Sequence, residues 1–586
     1  MEVHLVERDA VALHHDTVDI RELCVVDMRP EERSVHIEPD RLELPRHASA
    51  IAGNVYKPRL IELREQWRNG AGRGDVHYEN LHQVVEVRYE NLHQVVEVRY
   101  ENLHLPDIFL NLREGSVSIP MKRKITDRLL EWKHRHEKKA LLVQGARQIG
   151  KTYSIRDFVK NNYVSHVYFN LESNENIRGI FESSDRTADH LLEAMSFYSG
   201  TKLIPGASAI ILDEIQACLP AYSSLKALAE IGRFDIIASG SLMGVKIDDL
   251  QNLSPMGYVD SFRMYPMDFE EFLWANGLNE EQTGYIRSCV STLTPMDKAI
   301  LTRIDDLYRR YMVVGGMPDA VKTYVSSKDY TQVKRSLDRI TDVIRTDVER
   351  YSKGSNRLKV SSCFDSIPLQ LANGNGKFRY VAIEKRKNSG ARMYASAVQW
   401  LISAGIAEPC CNVSDPTIPL KERMIPEAYK LYMFDTGVLI NIMEPGVAAE
   451  IVNRDPYANN GAVLENCTAC ALRNLGYQLL YYERRNSTLE IDFIYNDGGE
   501  LALMEVKSGR NKRAKSLRTL FLSERKAKKA IKLSQGNIAV DPDGIVHYPL
   551  FAPFFFVDAS EQNIFSGDDT AGLMDDFERV LGKDGS

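Results

Sequence analysis

Two groups of residues have the types and spacing to do chemistry. The first is Gly145-Ala146-Arg147-Gln148-Ile149-Gly150-Lys151-Thr152, which fits G-x-x-x-x-G-K-[ST] at every fixed position. Its glycines let the backbone curl until several N–H groups converge on a phosphate at the positive end of the next helix. Lys151 would then reach the β and γ phosphates of ATP, and the Thr152 hydroxyl would share in holding Mg²⁺. Downstream, the apolar run Ala209-Ile210-Ile211-Leu212 closes on Asp213-Glu214. Two adjacent acids can serve two tasks there, Asp213 in the Mg²⁺ shell and Glu214 in polarising the attacking water. A further run, Phe234 to Ala238, ends in Ser239-Gly240-Ser241. Ser239, with Ser241 as second choice, is expected to bond the γ-phosphate or the water; capping of the next helix is the alternative. Arg263 suits an arginine finger, or equally a structural role.

The second group lies near the C-terminus. Glu490 to Ile494 alternates as a strand, Asn496-Asp497-Gly498-Gly499 turns, and Leu501 to Lys507 returns, so that Asp492, Glu505 and Lys507 meet at one edge of a hairpin. Carboxylates bind hard Mg²⁺ through oxygen, and a neighbouring lysine can orient water or offset phosphate charge. Glu465, on the helix Ala462 to Leu475, would add a third acid. A basic run follows, from Arg510, Lys512 and Arg513 to Lys532, with Glu524 as its local counter-charge. Beside such a cluster it points to nucleic acid, DNA ahead of RNA; a solvated helix face is the alternative.

These residues need elements to position them. Ala140 to Val143 reads as the strand into the phosphate loop, and Tyr153 to Val159 as the helix out of it. His166 to Asn170 is the next strand and Ala188 to Ser199 a helix. Leu301 to Met312 and Val333 to Ile344 have helical spacing, with Gly315-Gly316 breaking between them. Lys359 to Leu371 and Ala391 to Ala404 read as two more helices before the strand Ile406 to Val413, an order resembling a winged helix whose basic residues Lys385, Arg386, Lys387, Asn388 and Arg392 could face DNA. A module that only packs between domains is the rival reading.

At 586 residues and a net charge of −7, the chain has room for roughly three or four domains, and any nucleic-acid attraction must come from local patches. No apolar run reaches bilayer length, so a cytoplasmic chain without a membrane partner is expected. The eight cysteines are scattered, and Cys467-x-x-Cys470 reads as a pair of buried thiols rather than a metal site. Residues 1–120 differ in character. There Tyr78 to Arg88 recurs unchanged as Tyr89 to Arg99, and a third copy begins at Tyr100. Identity that strict points to recent duplication, with Val84, Val85 and Val87 favouring strand. The segment reads as upstream sequence ahead of a start at Met121; a genuine, partly disordered arm is the alternative.

The phosphate loop, Asp213-Glu214, Ser239-Gly240-Ser241, the segment Tyr265 to Phe272 and Gly315-Gly316-Met317-Pro318 together resemble the prokaryotic AAA-superfamily ATPases that carry a C-terminal domain of unknown function 4143. The likeness runs from Met121 to about Asp558. It implies an α/β protein: an AAA-like P-loop ATPase core (121–255), a helical lid (256–350), a winged-helix-like module (351–445), a PD-(D/E)xK, restriction-endonuclease-like domain (446–558) and an acidic tail (559–586). Ile491 stands where the namesake nuclease motif has Pro. The expected activity is Mg²⁺-dependent ATP hydrolysis coupled to a DNA-binding, and as a further expectation DNA-cleaving, C-terminal module. The alternative is an ATP-dependent signalling or scaffold switch whose nuclease-like domain is inert. Oligomeric state is left open.

Overall fold

The computed structural model describes residues 84–90, 95–101, 121–135, 139–241, 259–351, 356–373, 376–383, 391–453, 460–508 and 514–557. The chain divides into two compact units, Met1–Ile119 and Pro120–Ser586. In the first, β1 (Val84–Glu90) and β2 (Val95–Glu101) pair antiparallel, with Val87 opposite Val98. The valine-rich repeat copies are therefore strands, as their β-branched residues predict.

In the second unit, α1 (Ile125–Lys133) leads into β3 (Ala140–Gln144), the phosphate loop and α2 (Lys151–Asn162). After β4 (Ser165–Asn170) come α3 (Ala188–Ser199), β5 (Ser208–Asp213), β6 (Asp235–Gly240) and β7 (Val259–Arg263). These strands form one parallel sheet in the order β4-β5-β6-β3-β7. Strand β6 thus lies between the strand that feeds the phosphate loop and the strand that ends in Asp213. Alternation explains why these strands read as unbroken apolar runs: Leu141, Val143, Ala209 and Ile211 pack into one core, while Ala140, Leu142, Ile210 and Leu212 pack into another across the sheet. Strand β7 carries the sheet beyond residue 255, the boundary expected for the core. Its backbone pairs with β3, Gln144 opposite Arg263, so Val259 to Arg263 belongs to the ATPase sheet and not to the lid.

The segment expected to form the lid, called the lid below, holds α4 (Phe269–Ala275), α5 (Glu280–Thr292), α6 (Lys298–Val314), α7 (Pro318–Ser327) and α8 (Tyr330–Tyr351). A full capping box, Asp268 with Glu271, starts α4. Phe269 is the hub of an aromatic cluster with Tyr308 and Tyr311 of the lid and Phe551, Phe554 and Phe555 from near the C-terminus. Lid and C-terminal region therefore share one hydrophobic core.

Beyond the lid, α9 (Asn356–Ala372) and α10 (Ala391–Ser403) precede the antiparallel pair β8 (Ala407–Val413) and β9 (Met424–Met433). Then follow α11 (Thr436–Asn441), α12 (Gly461–Asn474), β10 (Leu480–Glu483), β11 (Glu490–Asp497), β12 (Glu500–Val506), β13 (Lys529–Leu533), β14 (Ala539–Val540) and β15 (Val546–Tyr548). Two helices and the strand after them are the parts expected of a winged helix, but that strand, paired with β9, is not part of a free wing. Strand β10 pairs parallel with β8, which joins it to a single eight-stranded mixed sheet in the order β14-β15-β13-β12-β11-β10-β8-β9. The boundary drawn at residue 445 therefore cuts through one sheet. The segment holding Lys385 to Asn388, the side chain of Arg392 and the tail from 559 lie outside the described residues.

Lid and sheet meet at Gly315-Gly316. The carboxylate of Asp435, buried at the start of α11, accepts hydrogen bonds from the Gly316 N–H (2.6 Å) and the Val438 N–H (2.9 Å). A Cβ on Gly316 would lie 1.9 Å from the Met267 carbonyl oxygen. Gly316→Ala is accordingly expected to destabilise the second unit by about 3 kcal/mol, because neither backbone can retreat; a denaturant titration showing an unchanged midpoint would refute this contact.

Candidate active site and a second carboxylate cluster

The phosphate loop is shaped by its backbone. Gly145 (φ 147°), Gln148 (φ 63°) and Gly150 (φ 92°) turn through positive φ, and a Cβ on Gly145 would meet the Met264 carbonyl at 2.3 Å. Ala146 and Ile149 are buried beneath it, which fixes the loop to the core. Lys151, the first residue of α2, is buried and donates to the carbonyls of Gly145 (2.8 Å) and Ala146 (2.7 Å). Burial pushes its ammonium down to about 8, against the pull of Glu214 and Asp213.

Asp213 is the polar centre of the site. Its Oδ2 accepts from the Thr152 hydroxyl (2.9 Å) and the Tyr168 hydroxyl (2.8 Å), while its Oδ1 accepts from the Ser239 hydroxyl and the Glu214 N–H (3.1 Å). Thr152 and Asp213 thus offer adjacent hard oxygens, a donor set that fits Mg²⁺. The looped backbone with Lys151 inside it fits a phosphate. Ser239, expected to face the γ-phosphate, is fully buried and spends its hydroxyl on Asp213; Ser241 lies 3.5 Å from Gln216 Nε2. Glu214 sits just past β5 at φ 53°, a conformation costly for a non-glycine residue and frequent at functional sites. Its carboxylate takes a hydrogen bond from Gln216 and lies 4.0 Å from Arg147. The guanidinium of Arg263 lies over the ring of Tyr265, 5.8 Å from its centroid, which favours the structural role.

Sequence reasoning missed several of these neighbours. Tyr168 is one; it shares a face of β4 with Asn170, and nothing in the sequence paired it with Asp213. Arg123 is another. Its buried guanidinium donates to the carbonyls of Ile149 and Tyr265 (both 2.8 Å) and to Glu271 (3.1 Å), binding the phosphate loop to the entry of the lid. Asp347, on lid helix α8, lies 3.2 Å from Arg147. Burial raises its carboxyl above the ordinary range, with Arg147 opposing the shift.

At the second cluster, Asp492, Glu505, Lys507 and Glu465 lie near one another. Asp492 accepts from the Val506 N–H (2.7 Å), and Lys507 forms an ion pair with Glu505. Burial, and then the charge of Glu465, push the Asp492 carboxyl up to about 7, with Lys430 and Lys507 opposing. The unforeseen member is Lys430 of β9, 2% exposed, whose ammonium lies 2.8 Å from Glu490 and 3.3 Å from Glu465. The Tyr432 hydroxyl donates to the same Glu465 oxygen (3.0 Å). A Mg²⁺ site needs carboxylate oxygens that converge and are not already taken by cations. Among the described residues no three His, Cys, Asp or Glu side chains are grouped to hold a metal. One carboxylate oxygen here, Glu505 Oε2, is buried without a hydrogen-bond partner, and one oxygen does not make such a site. Glu465, Asp492 and Glu505 are accordingly not grouped as such a site in this structure: Glu465 pairs with Lys430 and Glu505 with Lys507.

The basic run is likewise more balanced than its sequence. Arg518 pairs with Asp541 (2.8 Å) and Asp543, Lys526 with Asp415 (3.2 Å) and Lys529 with Asp497, while Lys532 is buried. These acids are remote in the chain, so the local reading could not count them. Lys515, Arg525 and Lys528 are exposed, and Arg510, Lys512 and Arg513 lie outside the described residues. Cys467 and Cys470 are buried thiols. Among the described residues no helix is long and apolar enough to cross a membrane.

Fold and site together define a P-loop ATPase of the AAA type. Residues 137–273 match the family described as AAA domain, 305–445 a domain of unknown function (DUF8612) and 460–550 a domain of unknown function (DUF4143). The chain thus carries an AAA domain and a C-terminal DUF4143 domain, as the resemblance implied. No curated protein matches it. Similar solved structures include C. elegans PCH-2 (14% identity, 35% of this chain and 61% of that one, TM-score 0.21) and the Aeropyrum pernix ORC1 protein in complex with DNA (13%, 56% and 92%, TM-score 0.24). A point variant of Thermotoga maritima RuvB is a third (13%, 50% and 90%, TM-score 0.22). Likenesses this distant carry no functional argument.

Phosphate favours the charged form of Lys151, whose ammonium is lost from the free protein as pH rises through about 8. ATP binding is therefore expected to take up a proton at about pH 9 and much less at about pH 7, which calorimetry in buffers of different ionisation heat would measure. Equal uptake at both values would contradict the shift.

Proposed function

We propose that this chain hydrolyses ATP with Mg²⁺ at the Gly145 to Thr152 loop and uses nucleotide state to reposition its C-terminal sheet. The observation that carries the reading is the convergence of Lys151, Thr152, Asp213 and Glu214 on one looped backbone at a helix N-terminus. Lys151 exchanges its bonds to the loop carbonyls for the β and γ phosphates. When bound, Mg²⁺ supplies charge neutralisation across those phosphates, held through Thr152 and Asp213. Ser239 and Tyr168 orient Asp213, and Glu214, once released from Gln216, positions the attacking water.

For the C-terminal module two readings compete, a DNA-cleaving unit and a switch that recognises partners without cutting them. The pairing of Glu465 and Glu490 with the buried Lys430 favours the second. Exposed Lys515, Arg525 and Lys528 support contact with nucleic acid, DNA ahead of RNA, as the partner of that module. A reducing cytoplasmic location and an oligomeric assembly are compatible with this function.

Lys151→Ala is expected to weaken ATP binding at least about a hundredfold. Glu214→Gln should keep binding and lower turnover by roughly 10² to 10⁴. Equilibrium binding of a fluorescent ATP analogue and phosphate release measure the two; retained binding in the lysine variant rejects the site. A panel of DNA and RNA substrates with Mn²⁺ tests the module, and cleavage abolished by Lys507→Ala would restore the nuclease reading.

A further inference from the structure

The phosphate loop carries a second cation besides Lys151, and it is held from outside the ATPase sheet. Arg147 donates to Glu172 (3.1 Å), just after β4, lies 4.0 Å from Glu214 and reaches Asp347 of lid helix α8 at 3.2 Å. Arg350, one turn along α8 from Asp347, closes the outer side with a 2.5 Å contact to Glu172. Asp347 is 3% exposed, and its Oδ2 has no hydrogen-bond partner, so Arg147, its ion-pair partner, is the main cation that sustains it there, with a weaker pull from Arg350. Helix α8 is a single 22-residue element, about 33 Å long. Val333, Leu337, Ile340, Ile344 and Val348 bury one of its faces in the common core. Asp338 and Thr341 on it bond Asn441, the last residue of α11 (3.0 and 3.4 Å). Helix α11 in turn is capped by Asp435, two residues beyond the end of β9, the strand that bears Lys430 and Tyr432.

We propose that Asp347 is a positioning residue of the ATP site, a lid-borne latch that holds Arg147 of the phosphate loop in the nucleotide-free protein and gives it up to the phosphates of ATP. The inference rests on the ATP reading above. Its physical basis is competition. A guanidinium binds phosphate with paired, charge-assisted hydrogen bonds, and ATP brings several negative charges into a site already holding Glu172, Glu214 and Asp347. Once Arg147 turns to the phosphates, Asp347 becomes a buried carboxylate without its cation, which is strongly unfavourable unless the end of α8 shifts or opens to water. Nucleotide binding is thereby linked to a rearrangement of α8, and through Asn441 and α11 to the strand that bears Lys430.

The test uses the full chain with a non-hydrolysable ATP analogue and Mg²⁺. In the wild type, binding should raise amide hydrogen exchange over residues 340–351. Asp347→Asn removes the competitor, so analogue affinity should tighten roughly tenfold and exchange in this segment should already be raised without nucleotide. Asp347→Glu should return both readouts toward the wild type, which a merely structural role would not produce. If Asp347→Asn does not fold, Glu172→Gln loosens the same guanidinium from the β4 side and should tighten affinity in the same direction. Unchanged or weaker affinity in the folded variant, or no nucleotide effect on exchange in the wild type, overturns the latch. A wild-type chain that binds no analogue overturns the ATP reading and the latch with it.

Discussion

The structure depends most on the buried guanidinium of Arg123. It donates to the backbone of the phosphate loop at Ile149, to the backbone leaving β7 at Tyr265 and to Glu271 in the capping box of α4. A buried arginine is tolerable only when its donors are met, and here they are met by three separate parts of the chain. The position of the loop is therefore set by where the lid begins. The Glu271 oxygen that accepts from Arg123 also takes the Lys124 N–H, and the Lys124 ammonium binds Asp268 and Glu270, so the start of α1 and the start of α4 are tied as one piece. Nucleotide chemistry and lid geometry cannot be separated in such an arrangement.

The same logic continues through the lid. Its glycine pair fits under Asp435, its aromatic residues enclose Phe269, and the segment Phe551 to Phe555 closes that cluster from near the other end of the chain. One hydrophobic core thus runs from α1 to the last described residues. Because packed cores rearrange between discrete states rather than bending continuously, a change at the phosphate loop has a physical route to the eight-stranded sheet.

That sheet gathers the acids expected to hold a metal while supplying counter-charges of its own. Lys430 is the decisive residue. Burial disfavours its charge, but Glu465, Tyr432, Asp492 and Glu490 outweigh that cost and hold the ammonium well above its ordinary range. It comes from β9, the strand at the far end of the sheet from β14, and reaches Glu465 beneath. The hairpin of β11 and β12 alone would suggest an acidic edge open to a cation; the complete sheet sets two lysines among those acids, Lys430 against Glu465 and Glu490 and Lys507 against Glu505.

The sequence by itself determined the ATPase half well, because its signals are local. A loop, the strand before it and the helix after it are contiguous, and apolar runs such as Ala209 to Leu212 announce strands buried on both faces. The Asp492 to Lys507 hairpin was legible for the same reason, as was helix α10, whose Tyr394, Val398, Leu401 and Ile402 are all buried. What only the tertiary structure decided were the pairings between charges far apart in the chain: Arg123 with Ile149 and Glu271, Arg147 with Asp347, Lys430 with Glu465 and Glu490, and the acids that meet the basic run. A charged side chain looks the same in sequence whether it faces water or a partner two hundred residues away, since only burial makes the partner obligatory. The merging of the hairpin β8 and β9 with strands β10 to β15 was hidden for a related reason. Strand pairing satisfies backbone groups that every residue carries, so no side-chain pattern marks which edge will be met.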